Sequence, residues 1–108
     1  MSSENKNVIQ VSKRLDASNV GDFKAEAISI LKHQEKGIII NFSETTFLDS
    51  AGLGALVSIL KMAAQSNNKK IALASLSKQV RQIFELTKLY RLFDIFDSAE
   101  EAQAFLEK

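Results

Sequence analysis

The sequence has no cysteine, no proline and a single histidine among 108 residues. Without cysteine, a disulfide framework, a thiolate metal site and thiol catalysis are all excluded, and a reducing compartment is compatible with the chain. An excess of one charge is missing too. Fourteen basic residues stand against thirteen acidic ones, a formal net charge of +1, with both signs mixed along the chain. Direct nucleic-acid binding calls for a basic patch, and the small clusters Lys13-Arg14 and Lys69-Lys70 read instead as solvated loop and strand-edge residues. No apolar run approaches the ~20 residues that span a membrane, and "MSSENKN" lacks a charged-then-apolar signal pattern. The expectation is a soluble, unexported protein without membrane insertion. No repeat, low-complexity tract or proline-rich linker divides the chain, so it reads as one domain over residues 1–108, with residues 1–7 as a polar N-terminal tail. A chain of this size removes about 60 to 70% of its unfolded surface from water, enough for a core without metal or disulfide.

What is present alternates between strand and helix patterns. "VIQVSKRL" predicts a strand over residues 8–15, and "DASN" ends it with turn and cap residues. Val20, Phe23, Ala27, Ile30 and Leu31 fall at helical spacing, with Ser18 or Asn19 as N-cap and Gly37 as a left-handed stop, predicting a first helix over about 19–36. "IIINF", residues 38–42, is apolar without alternation, the mark of a central strand covered on both faces. After a loop "SETTFLD", Leu53, Leu56, Val57, Leu60, Ala63 and Ala64 form the stripe of a second helix that "SNNKK" ends. "IALASL" is a further strand. A third helix follows Ser77, a short strand covers residues 93–96, and Ser98 with Glu101 forms the capping box of a closing helix. The fold class is α/β, with a mainly parallel or mixed sheet of four to five strands and four helices.

Catalytic chemistry is hard to assemble from this inventory. His33 sits among Lys32, Gln34 and Glu35 near the end of the first helix, where a solvated side chain facing the helix dipole is expected rather than a general base. No second histidine or cysteine completes a metal site, and "GLG" lacks both the third glycine of a dinucleotide fingerprint and the lysine of a phosphate loop. No cofactor, metal or catalytic residue is assigned. Chemistry concentrates instead in "FLDSAGLG", residues 47–54, where two of only four glycines fall at the start of a helix beside a serine. Each glycine costs about 1 kcal/mol against alanine in a helix interior. Ser50 can be an ordinary N-cap shared with Asp49, and Gly52 and Gly54 can serve close packing against the sheet. They can also leave room for another backbone to approach Ser50. If the strands on either side of the first helix are parallel, "DASN" and "LDSAGLG" emerge at the same end of the sheet, the end where partners of open α/β sheets bind. Asp16, Ser18, Asn19, Asp49 and Ser50 then share a shallow surface.

At "RLDASN", "IIINFSETTFLDSAGLGALV" and "ALASLSKQVRQIFELTKLYRLFDIFDSAEEA" the chain resembles STAS domains, in particular the small free-standing bacterial anti-sigma factor antagonists. The resemblance covers nearly the whole chain, and "DSAGLG" is its most specific part. It implies a cytoplasmic, non-enzymatic regulator whose Ser50 is phosphorylated by an anti-sigma factor that is also a serine kinase. The unphosphorylated form would bind that anti-sigma factor and free the sigma factor, and a PP2C-type phosphatase would reset the cycle. Partner contacts would come from Asp16, Ser18, Asn19, Asp49, Ala51, Gly52, Leu53 and Gly54. The chain departs from the family pattern in having Arg14 where glycine often precedes the Leu-Asp pair, and in a short polar start that implies four strands rather than five. The alternative is a constitutive STAS subunit of a phospholipid-transport ATPase or stress-signalling complex, with "DSAGLG" a fixed contact. A hydrolase using Ser50 as nucleophile would need a base within reach.

Overall fold

The computed structural model describes residues 7–108. In chain order its elements are β1 (Val8–Gln10), β2 (Arg14–Leu15), α1 (Val20–His33), β3 (Gly37–Asn41), β4 (Phe47–Leu48), α2 (Ser50–Gln65), β5 (Lys70–Ala74), α3 (Lys78–Thr87), a 3-10 turn at Leu89–Arg91, β6 (Asp94–Phe96) and α4 (Ala99–Glu107). The main sheet has the order β1-β3-β5-β6 and every pairing in it is parallel. The expected α/β class, the four helices and a four-stranded sheet are all present.

The unbroken apolarity of β3 has a direct cause in this layering. Ile38 and Ile40 face a large core that includes Phe23 and Leu31 of α1, Leu56 and Ile59 of α2, and Phe84 of α3. Ile39 faces the other way, with Ala72 and Ala74, onto Ala102 and Leu106 of α4. Alanines on that second face let a single helix settle close to the sheet. Each fully buried Ile or Leu contributes about 1.5–3 kcal/mol, so both faces of β3 have to be apolar. Phe42, Phe84 and Phe93 meet edge to face at centroid separations of 6.5 and 5.9 Å, closing the core at the α3 side.

Five expectations need correction. The strand expected over 8–15 is two short strands in different sheets: after Val11, whose N–H still donates to Asn41, the chain bends at Ser12 and Lys13 and pairs elsewhere. Thr45, fully buried, fixes that bend by donating its hydroxyl to the Ser12 carbonyl at 2.8 Å. The loop expected over 43–49 contains β4, the partner of β2. The first helix ends at His33 rather than near 36, because Gln34 is already extended and the chain must turn to enter β3. Gly37 does have a positive φ of 129°, but as the first residue of β3 and not as a helix stop; a side chain there would run into the Lys70 backbone. Lys69 and Lys70 are structural rather than solvated. Lys70 Nζ lies 4.7 Å from the centroid of Phe105 and donates to its carbonyl, and Lys69 donates to the carbonyl of Leu31.

The tail expected over residues 1–7 lies outside the described residues except for Asn7. Its carbonyl accepts from Ile39 at 2.8 Å and its amide donates to Gln103 at 3.2 Å, so it extends the β1 pairing.

Candidate functional site

Two buried leucines set the site's geometry. β2 and β4 pair in parallel with Arg14 opposite Phe47 and Leu15 opposite Leu48, and both leucines point into the core. The N–H of Asp49 then donates to the Leu15 carbonyl at 3.3 Å. The chain segments that follow, Asp16 to Asn19 and Asp49 to Gly54, therefore leave the small sheet side by side. This is the juxtaposition expected from the parallel arrangement, produced by a two-stranded ribbon instead of by the main sheet.

At the start of α2 the cap belongs to Asp49 and not to Ser50. Asp49 is extended (φ −104°, ψ −173°), and its carboxylate accepts the Gly52 N–H at 3.0 Å while its carbonyl takes the first helical hydrogen bond from Leu53. Ser50 is the first helical residue, exposed, and among the described residues nothing engages its hydroxyl. That leaves the hydroxyl free for an incoming group.

The two glycines separate cleanly. A Cβ on Gly52 would lie 2.7 Å from both the Leu15 carbonyl oxygen and Leu48 Cδ1, so its missing side chain is what lets α2 rest on the β2–β4 ribbon. At Gly54 nothing lies within 4 Å and the residue is exposed. Gly52 answers to packing; Gly54 leaves the surface beside Ser50 bare. Ala51, before Gly52, and Leu53, between the two glycines, are half-buried, Leu53 against the main core.

The neighbouring segment is tied to itself. The Asp16 carboxylate accepts from the Ser18 hydroxyl at 2.6 Å, the Ser18 N–H at 3.0 Å and Arg14 Nε at 3.1 Å. These Ser18 hydrogen bonds, followed by the Arg14 guanidinium, hold the carboxyl below its usual 3.8. Asn19, expected as a cap, has no side-chain cap bond to α1. Its amide oxygen accepts the Asp16 N–H at 2.9 Å and its amide nitrogen donates to the Arg14 carbonyl at 2.8 Å and to Ser12 Oγ at 3.2 Å. Asn19 staples the loop, and Asp16 and Ser18 present its polar surface.

One residue of the site escapes a reading of the sequence. Phe47 is 38% exposed, and the Arg14 guanidinium lies 4.3 Å from its ring centroid. The departure at Arg14 was visible in the sequence; its aromatic partner was not, because a two-residue strand carries no readable period. A concavity of about 170 Å³ opens beside Asn19, but none of Asp49, Ser50 or Gly54 lines it.

Among the described residues no hydrogen bond joins the Ser50 hydroxyl to a candidate base. His33 is in the last turn of α1 with its Nδ1 2.8 Å from the Ser29 carbonyl oxygen, about 20 Å along the helix from the Asp16 loop at 1.5 Å per residue. The nearest carboxylate in sequence, Asp49, is committed to its cap. Among the described residues no cluster of three or more metal-ligating side chains occurs, and no helix is long and apolar enough to cross a membrane.

Comparison with known proteins gives a consistent picture. The STAS domain family model matches residues 2–102. A candidate anti-sigma factor antagonist from Thermotoga maritima is 28% identical with a TM-score of 0.80, over 94% of this chain and 89% of that one. The anti-sigma factor antagonist SpoIIAA in its unphosphorylated form is 24% identical with a TM-score of 0.77, over 93% and 86%. An anti-sigma factor antagonist (STAS) domain protein from Planctomyces limnophilus shares 17% identity but a TM-score of 0.83, over 94% and 90%. The latter two show the shared fold alone.

Proposed function

The chain belongs to the STAS domain family, and from that membership we propose that it is an anti-sigma factor antagonist controlled by phosphorylation of Ser50. In the unphosphorylated state the surface made by Asp16, Ser18, Asn19, Asp49, Ser50 and the Ala51–Gly54 turn docks an anti-sigma factor with serine kinase activity, and the sigma factor is released. Phosphorylation of Ser50 by that same partner ends the interaction, and a PP2C-type phosphatase restores it. The protein performs no chemistry of its own in this cycle and works in the cytoplasm.

The observation that carries the reading is the division of labour at the start of α2. Asp49 takes the capping role, which leaves the Ser50 hydroxyl exposed and unengaged, and Gly54 keeps the adjacent surface clear. A serine needed only as a cap would have its oxygen on a backbone N–H; this one is displaced by one residue. The Thermotoga maritima neighbour, described as a candidate anti-sigma factor antagonist, lends support at 28% identity.

The test is an affinity capture from cells of the source organism, using wild type and Ser50→Ala, with bound proteins identified by mass spectrometry. Addition of ATP to the captured complex and intact-mass measurement follow. The reading requires a kinase-like ATPase among the bound proteins and one added phosphate on wild type but none on Ser50→Ala. Full phosphorylation of Ser50→Ala, or capture of transporter subunits alone, would refute it.

A further inference from the structure

We propose that Arg14 is the built-in counter-ion of a phosphate on Ser50, so that the domain itself holds the modification. The pairing presupposes the phosphorylation of Ser50 proposed above and assigns a further residue to that regulation. β2 and β4 put Arg14 in place. Leu15 and Leu48 point inward and side chains alternate along a strand, so Arg14 and Phe47 project together from the outer face of the ribbon, both exposed. The ladder continues one step past the strands. The Phe47 N–H donates to the Lys13 carbonyl and the Asp49 N–H to the Leu15 carbonyl, two residues further along both segments. Asp16 therefore stands opposite Asp49 as Arg14 stands opposite Phe47, and Ser50 is the next residue in the chain.

The guanidinium is aimed toward that step. Its Nε donates to Asp16 Oδ2 at 3.1 Å while its central carbon lies 4.3 Å from the Phe47 ring centroid. The group thus reaches from the Arg14–Phe47 pair toward the Asp16–Asp49 pair, levels that a strand separates by about 3.3 Å per residue. Stacking on Phe47 restricts the long side chain before any phosphate arrives, so less freedom is lost on pairing. Of the guanidinium's N–H donors only Nε–H is hydrogen-bonded among the described residues, and the side chain is 60% exposed. Its two outer nitrogens are left to meet phosphate oxygens as a planar fork. Asp16 does not depend on Arg14, because the Ser18 hydroxyl and N–H hold the same carboxylate at 2.6 and 3.0 Å.

The surrounding charge favours such a pairing. Asp16 and Asp49 lie on this face, Asp22 is in the first turn of α1, and a phosphate adds about −1.5 to −2 at pH 7. Glu44 precedes β4 at the other end of the ribbon. Arg14 is the cation that the ribbon holds stacked among these groups. Lys13 lies at the bend before β2, and Lys78 begins α3, which packs against β4; both are exposed and neither is stacked on a ring. Arg81 of α3 turns to Asp97. With one cation against two carboxylates and a phosphate, the face stays net negative, and phosphorylation still opposes docking.

The experiment uses the full chain with phosphoserine inserted at position 50 during translation, so no kinase is needed. ³¹P NMR follows the second ionisation of the phosphate, and ¹H–¹⁵N spectra follow the Arg14 Nε–H group. Wild type is compared with Arg14→Gln, Arg14→Lys, Lys13→Gln and Lys78→Gln, all at exposed positions and all expected to keep the melting temperature. The Arg14 Nε–H resonance should shift as the phosphate titrates. Arg14→Gln should lower the second ionisation constant about twofold to fivefold, the range of an exposed ion pair, and each lysine variant should change it less. Arg14→Lys should restore part of the loss, since it keeps the charge without the fork or the stack. An unchanged constant in Arg14→Gln, an Arg14 resonance indifferent to the titration, or a lysine variant with an equal or larger effect would overturn the pairing. Absence of phosphate on Ser50 in cells would defeat the switch instead and leave this result standing, which keeps the two failures apart.

Discussion

Asp49, Gly52 and Gly54 lie within about a turn and a half of each other and answer to three different forces, which separate substitutions can tell apart. Asp49→Ala removes the acceptor of the Gly52 N–H and should cost about 1 kcal/mol in denaturant unfolding, whereas Ser50→Ala, which removes no described hydrogen bond, should stay within about 0.5 kcal/mol. Gly52→Ala drives a methyl group toward the Leu15 carbonyl and Leu48, and overpacking of that kind should cost about 1–3 kcal/mol. Gly54→Ala meets nothing within 4 Å and should gain up to about 1 kcal/mol from helix propensity. Gly54→Lys should likewise hold the melting temperature yet weaken docking to the anti-sigma factor, and equal loss of stability and binding would assign Gly54 to packing instead. Asp16 adds a pH dependence. Its carboxyl is held below the usual 3.8, first by Ser18 and then by Arg14, so the stabilisation it lends the loop is complete above 3.8 and is lost as pH falls through the lower, folded value. Carboxyl-carbon NMR should find the Asp16 midpoint below 3.8 in wild type and moved upward in Ser18→Ala.

Among the elements, the long periodic ones were legible and the short ones were not, for a physical reason. α2, α3 and α4 each bury a stripe wide enough to repeat along several turns, and Ser98 caps where the pattern places it, accepting from the Glu101 N–H at 3.1 Å, while Ser77, just ahead of the third helix, accepts from the Val80 N–H at 3.2 Å. The Glu101 carboxylate returns to the N–H of Asp97, one residue ahead of the expected capping partner. β2 and β4, at two residues each, are too short for any period to show. Their pairing depends on the bend at Ser12, fixed by the remote Thr45, and no local pattern announces a contact 33 residues away. The site was legible as a set of residues and its mechanism of assembly was not: Asp16 and Asp49 were expected together, but on a ribbon nobody reading residues 8–15 as one strand would draw. Gly37 illustrates the same divide. Its positive φ was foreseen for a helix end, yet the demand comes from β5, whose Lys70 backbone occupies the space of a side chain. Gly37→Ala should therefore destabilise by about 3 kcal/mol or more, since backbone strain and steric conflict act together, and thermal unfolding would measure it.

For the whole molecule, the central expectation is that phosphate on Ser50 blocks an interface without unfolding the domain. A phosphoserine brings a charge of about −1.5 to −2 at pH 7, and at a helix N-terminus the free N–H groups and the dipole meet it favourably. Ser50 is exposed and first in α2, so the added group stays in water and disturbs neither Leu15 nor Leu48 beneath. Stability should hold to within about 1 kcal/mol. Docking is different, because the same charge must then be desolvated beside Asp49 and near Asp16, against a partner shaped for a hydroxyl. A charge buried without a partner at an interface costs on the order of 2–5 kcal/mol, which lowers affinity by a factor of about thirty to a few thousand. Ser50→Asp carries one charge on a shorter, planar group and should reproduce only part of that loss. Calorimetric titration of both forms against the anti-sigma factor, paired with thermal melts, separates the two effects. Affinity unchanged by phosphorylation would remove the switch, and a melt that collapses would make it an unfolding event rather than a change of surface.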